Sequence, residues 1–261
     1  MSPTPHSPNP ELQLAQARQA LVRMEETIIF SLIERAQFRR NDIIYRRRAF
    51  PDLASDESLT GHLLRATERV HALMRRYTSP DEHPFFPDLP SPQLPPIQYP
   101  DNPLLPNHIN CNDQVRAAYE GRIVPLICRT GDDNQYGYSA VCDVACLQAL
   151  SRRVHFGKFV AESKRRRDPD FFQALLSNAD DTRLMEAITH QDVEEEVIER
   201  VRRKAATYLS ELRQCGGSPT PRAADLAEIY RQIVIPLNKQ VQMAYLRATA
   251  QPDPERIESQ S

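Results

Sequence analysis

Tryptophan is absent from this 261-residue chain, and glycine is scarce at seven residues. Sheets joined by tight turns draw heavily on glycine. This scarcity and the near absence of apolar–polar alternation predict an all-α fold. Long apolar runs are missing too: the longest, such as Ile28–Phe30 and Ile233–Leu237, are far too short to cross a bilayer. The five cysteines, Cys111, Cys128, Cys142, Cys146 and Cys215, form no CxxC pair, so the sequence offers no metal site. Cys142 and Cys146 lie four apart, which on a helix reads as core packing. An odd thiol count without an export signal is the pattern of reduced cysteines in the cytosol. Nor is there excess charge of either sign. Lys and Arg number 33 against 35 Asp and Glu, a net −2, which excludes a basic field for nucleic acid or an anionic membrane.

What is present is helical periodicity. Leu14, Ala17, Leu21, Met24, Ile28 and Leu32 recur at three- and four-residue steps and predict a first helix over residues 11–39. A second is expected over 57–77, with Leu63, Leu64, Val70 and Leu73 inward. Further helices are expected over 113–128, 139–166, 170–177, 182–189, 192–213 and 222–248, with a break at Gly216-Gly217-Ser218-Pro219. Pro125 and Pro236 fall inside apolar helical runs and should kink them. Residues 130–137, carrying Gly131, Asp132, Asp133 and Asn134, read as a turn-rich loop. One domain is expected over 11–248, between a Ser/Pro-rich disordered lead-in (1–10) and a disordered tail (249–261).

Ten of the 22 prolines lie between Pro80 and Pro106. Proline has no amide donor and disfavours helix before it, so this stretch is an extended connector. Its Phe85, Phe86, Ile97, Tyr99, Leu104 and Leu105 suggest that it packs onto the helices.

Arg153 and Lys164 are eleven residues apart, about three helical turns plus ~20°, and so share one face of the expected helix. Val154, Phe156, Phe159, Val160 and Ala161 between them are apolar. A basic face in such surroundings needs an anion, either a protein carboxylate such as Glu25 or Glu194, or a ligand. Asn238 and Gln242, four apart on the last helix, need hydrogen-bond partners if buried. Taken singly, Arg18 reads as a surface arginine, and Glu194 as an acid favoured at a helix N-terminus.

Four blocks go further. ALVRMEETIIFSLIERAQF (20–38), RRYTSPDEHPFFPDLP (75–90), CLQALSRRVHFGKFVAESK (146–164) and IYRQIVIPLNKQVQMAYL (229–246) resemble the signature blocks of fungal and plant chorismate mutases, in that family's order. The resemblance runs from about Leu12 to Leu246. It implies an all-helical homodimer that rearranges chorismate to prephenate, for phenylalanine and tyrosine synthesis, without cofactor or metal. It further implies that Arg18 and Arg153 each hold a substrate carboxylate and that Lys164 and Gln242 donate to the ether oxygen from opposite sides. Glu194 would bind the ring hydroxyl beside the backbone near His190, and Asn238 would complete the pocket. A cytoplasmic location is expected.

Several positions depart from the yeast-like pattern. Gln242 replaces a glutamate that must be protonated to donate, so a rate nearly flat from mildly acidic to neutral pH is expected. Asn238 replaces a threonine, and His190 an asparagine. The family's effector site, for tyrosine and tryptophan at the dimer interface, uses an arginine pair like Arg75 and Arg76 and a Gly-Ser turn. Here Gly137 is followed by Tyr138. Read alone, Arg75 and Arg76 are cations at a helix C-terminus. Two alternatives remain at this level: a helical binding protein that keeps the fold without the chemistry, and a lyase releasing pyruvate from the same dianion. The latter is disfavoured by the lack of a general base beside the cations.

Overall fold

The computed structural model describes residues 10–53, 56–97, 102–178, 180–214 and 221–250, with side chains from 19 to 249 in those ranges. Residues 1–9 of the expected lead-in, 251–261 of the expected tail, Cys215, Tyr99 and the Gly-Gly-Ser-Pro break lie outside the described residues; Pro10, Thr249 and Ala250 are helical, against expectation. Among the described residues every regular element is helical. Helix α1 spans Pro10–Arg35 and α2 Leu59–Leu73. They are followed by α3 (Asn112–Ala118), α4 (Val124–Ile127), α5 (Tyr136–His155), α6 (Gly157–Arg167) and α7 (Pro169–Ser177). The chain then forms α8 (Asp181–Ile188), α9 (Gln191–Gln214), α10 (Ala223–Ile229) and α11 (Ile235–Ala250).

Side-chain caps start several of these helices. Ser58 Oγ accepts from Gly61 N at 3.1 Å, and Asp180 Oδ1 from Arg183 N at 3.0 Å. Asp168 accepts from Phe171 N at 3.3 Å with Pro169 at the first helical position, where a missing N–H costs nothing. Both interior prolines are accommodated by π-helical segments, Tyr119–Ile123 before Pro125 and Tyr230–Val234 before Pro236. A proline ring clashes with the carbonyl four residues back. The wider turn moves that carbonyl aside without ending the helix.

The stripe of α1 delivers Met24, Ile28 and Leu32 to the interior. The main core joins Ile28 and Leu32 with Leu147, Leu150 and Val154 of α5, Val201 of α9 and Val241 of α11, while Met24 packs with Phe156 in a smaller cluster. Each such side chain contributes roughly 1.5–3 kcal/mol by leaving water. A second cluster gathers Ala161, Phe172, Leu184, Ile188, Met243 and Leu246. On α2, Leu64 is buried, but Val70 is 59% exposed, against expectation. Six residues on from Leu64, it lies about 240° round the helix.

The connector packs as expected at Phe85 and Phe86, against the main core, and at Leu104, against the second. The buried carboxylate of Glu68 accepts from Phe85 N at 2.9 Å and Phe86 N at 3.1 Å. Ile97 and Leu105 are exposed instead.

Behind the start of α5 lies a buried polar hub. The Asp143 carboxylate accepts from Arg35 Nε at 2.6 Å, Tyr119 Oη at 2.6 Å, Tyr45 Oη at 2.9 Å and Thr60 Oγ1 at 3.2 Å. Five elements are tied at one point, and every lone pair of the acid has a donor.

Candidate active site

The helix expected over 139–166 is interrupted at Phe156, between α5 and α6. Gly157 explains how the break is used. A Cβ there would stand 2.7 Å from the Asn238 carbonyl oxygen and 2.9 Å from Asn238 Nδ2, so only glycine lets α11 come this close. Asn238 then donates from Nδ2 to the carbonyls of Val154 at 3.0 Å and Arg153 at 3.3 Å. Its Oδ1 accepts from Gln242 Nε2 at 2.9 Å. Both polar ends of Asn238 are thus engaged inside the protein.

Despite the break, Arg153 and Lys164 open onto one cleft of about 380 Å³, lined also by His190, Glu194, Asn238, Lys239 and Gln242. Leu21, Val160, Ile188, Val197 and Ile235 make much of the wall apolar, which strengthens any charge interaction inside. Arg153 is only 5% exposed, and its Nε and Nη1 are buried without a hydrogen-bond partner. Burial pushes its guanidinium below the ordinary arginine range; Tyr230 and the Glu25 carboxylate offset only part of this, and the Arg200 cation adds to it. The carboxylates that could have neutralised it are committed elsewhere. Glu25 takes Arg200 at 2.7 Å and Lys204 at 3.7 Å, while Glu194 takes Lys239 at 2.9 Å. Among the described residues no acid pairs with Arg153. Among the described residues the protein-carboxylate reading therefore finds no hydrogen-bonded acid for Arg153, and its free donors remain available to a ligand.

Lys164 Nζ donates to the Ile188 carbonyl at 2.6 Å, at the C-terminal end of α8 where helix carbonyls lack intrahelical donors. His190 follows that end and is exposed. Arg18 belongs to α1, but its side chain lies outside the described residues. Lys239 was missed by sequence reasoning. It lies on α11 beside Asn238, bonded to Glu194 and, at 3.4 Å, to Thr189 Oγ1. A lysine inside that apolar run, with the acidic run Glu194–Glu196 as its natural partner, was the available signal. Among the described lining residues there is no hydroxyl or thiol nucleophile. The cleft offers cations, amides and shape. Those suit a reaction driven by positioning and electrostatics.

The effector candidates fall on two elements. Arg75, in the left-handed region at φ 67°, follows α2, and its Nη1 donates to the Pro95 carbonyl while Nε is buried without a partner. Arg76 donates to Glu82 at 3.0 Å, His71 at 2.9 Å and Gln148 at 2.8 Å. Gly137 and Tyr138 begin α5, where the Tyr138 ring stacks on Phe38. A Cβ at Gly137 would meet nothing within 4 Å. Arg76 reaches α5 at Gln148, eleven residues or about 16 Å along the helix from Gly137. Within this chain the two candidate pairs therefore lie apart.

Residues 136–243 match the family Chorismate mutase type II. Chorismate mutase 1, chloroplastic, of Petunia hybrida is 43% identical over 238 residues, 88% of this chain and 73% of that protein. The crystal structure of AtCM1 with tyrosine bound in its allosteric site superposes with a TM-score of 0.83 at 38% identity, covering 91% of this chain and 96% of that one. Aro7p chorismate mutase from Candida albicans in complex with L-Trp gives a TM-score of 0.83 at 38% identity, over 96% and 97%.

Proposed function

Since the chain belongs to the chorismate mutase family, we propose that the cleft around Arg153 is where it performs that family's reaction, the rearrangement of chorismate to prephenate. In this Claisen step the ether C–O bond breaks as a new C–C bond forms within one molecule. No proton or electron leaves, and no cofactor is needed. The enzyme's work is to hold the dianion in its compact conformer and to stabilise charge growing on the ether oxygen. Arg153 grips one carboxylate by a bidentate fork and Arg18 the other. Lys164 and Gln242 donate to the ether oxygen. Glu194 takes the ring hydroxyl beside the backbone near His190, and Lys239, paired with that carboxylate, adds positive charge to the cleft. The observation that carries this reading is the buried Arg153 guanidinium, whose Nε and Nη1 have no hydrogen-bond partner among the described residues. Incubating the purified chain with chorismate and identifying the product tests it. Prephenate is expected; released pyruvate, or no turnover, would refute it.

The active form is a homodimer. Helices α2 and α5 pack side by side, and apolar side chains are exposed at both, Val70 and, just past its end, Met74 at α2, Tyr138 and Val141 on α5. A second copy covering this patch would also bring Arg75 and Arg76 of one protomer to Gly137 and Tyr138 of its partner. That junction is the site for tyrosine or tryptophan, and the unpartnered Arg75 Nε is a ready donor for the effector carboxylate. The protein acts in the cytoplasm as one domain over 11–248. Among the described residues no helix is long and apolar enough to cross a membrane. Sedimentation of Val141→Asp, expected to give a monomer, tests the interface. Titrating each amino acid into the steady-state assay tests regulation; an unchanged rate at saturation would remove it.

A further inference from the structure

Asn238 and Gln242 form an ordered relay whose polarity begins at the backbone. The carbonyls of Arg153 and Val154 are pure acceptors, so the Asn238 group facing them must be its NH2. That turns Asn238 Oδ1, another acceptor, toward Gln242, and the Gln242 group 2.9 Å away must in turn be its own NH2. Flipping either amide would set oxygen against oxygen in a buried place, since Asn238 is 8% exposed and Gln242 4%. Gln242 Oε1 has no partner, and the second Nε2 hydrogen is committed to no protein atom.

We propose that Asn238 is a positioning residue: it fixes the Gln242 amide with its nitrogen toward the substrate, one hydrogen held by Asn238 and the other left for the reacting ether oxygen. The proposal rests on the assignment of the cleft to chorismate. It follows from counting donors. An amide has two N–H groups for two acceptors, Asn238 Oδ1 and the ether oxygen. A protonated glutamic acid has one O–H for the same two, and an ionised one has none. Glutamate at 242 is therefore mismatched to asparagine at 238 at every pH. Threonine at 238 can turn its hydroxyl toward a carboxyl group as a donor, releasing the acid proton for the ether. The two positions should be exchangeable together and not singly.

The test is a double-mutant cycle read as kcat and KM for chorismate from about pH 5 to 8. Asn238→Thr should lower kcat about tenfold with KM little changed, because the amide loses its orientation rather than the substrate its grip. Gln242→Glu should lose activity at neutral pH and remain slow even in acid. The double variant N238T/Q242E should be faster in acid than Gln242→Glu by about tenfold, reversing the sign of the Asn238→Thr effect. If N238T/Q242E is instead slower than Gln242→Glu by the same factor that Asn238→Thr costs alone, the relay is overturned. Should Asn238→Thr show no cooperative melting transition, Asn238→Ser replaces it in the same cycle. Absence of turnover in the wild-type enzyme would overturn the chorismate assignment itself, and this proposal with it. A cycle with independent effects and normal wild-type turnover overturns the role of Asn238 alone.

Discussion

Arg35 and Arg153 are both buried, at 0% and 5% exposure, yet their surroundings are opposite. Arg35 donates to Asp143, to the carbonyls of Arg39 and Arg40 at 3.0 and 2.9 Å, and to Tyr45 Oη at 3.2 Å. Burial alone would lower its pKa, but Asp143, together with Tyr45, Cys128 and Tyr119, more than reverses that and holds it above the ordinary arginine range. Arg153 has no such acid, and burial leaves it lowered. A saturated buried cation is part of the architecture. A buried cation with donors to spare is what the proposed ligand-binding role requires, and it should cost the interior some stability.

Substitutions at the two positions should separate accordingly. The largest effect is on rate: Arg153→Met should lower kcat/KM for chorismate by roughly a thousandfold or more, as loss of a preorganised charge donor does. A drop of only a few-fold would remove Arg153 from the centre of the site. Asp143→Asn attacks the other region. It leaves Arg35 buried without its counter-ion and should cost about 3–5 kcal/mol in denaturant unfolding, with turnover per folded molecule little changed. Equal losses of rate and stability in both variants would erase the contrast.

A third buried group sharpens the rule from another side. His155 accepts from Cys111 N at 2.9 Å through Nε2 and donates through Nδ1 to the Ser151 carbonyl at 2.8 Å, so its neutral form is fully satisfied. Burial pushes its pKa down to about 4. The unfolded chain, with histidine near 6.5, binds the proton first as pH falls. Stability is therefore complete above about pH 6.5 and declines by about 3 kcal/mol toward pH 4. His155→Gln, which can also donate and accept, should flatten that decline; an unaltered profile would assign the acid sensitivity elsewhere. The smallest expected effect is at Gly157. An alanine Cβ there pushes on Asn238 and should cost about 1–3 kcal/mol of stability, with a fall in kcat as the Asn238–Gln242 contact shifts. Wild-type kinetics in Gly157→Ala would show that the close approach does not matter to the site.

Much of the architecture was legible because burial on a helix leaves a period. Ile28, Leu32 and Leu64 went inward as their spacing required. Val70 did not, because its step from Leu64 carries it to the far face, where the sequence shows only one more apolar letter. The prolines announced a disturbance at 125 and 236, but the widening of the helix is a backbone response that no residue type encodes. The break at Phe156 was hidden for a related reason: Gly157 is there to admit Asn238, 81 positions away, and that approach exists only in three dimensions. The site was partly readable. Arg153 and Lys164 line one cleft, although the single helix their spacing assumed is broken between them, and the chemistry proposed for it comes from the resemblance. Lys239 escaped notice because its partner, Glu194, is distant in sequence.

The account turns on Arg153 being kept for a ligand and not for the fold, and the melting temperature of Arg153→Met tests that most directly. Methionine fills similar space without a charge to desolvate. The variant should therefore melt at or above the wild-type temperature while being nearly inactive. A fall in melting temperature like that of Asp143→Asn would contradict it, because Arg153 would then be holding the protein together.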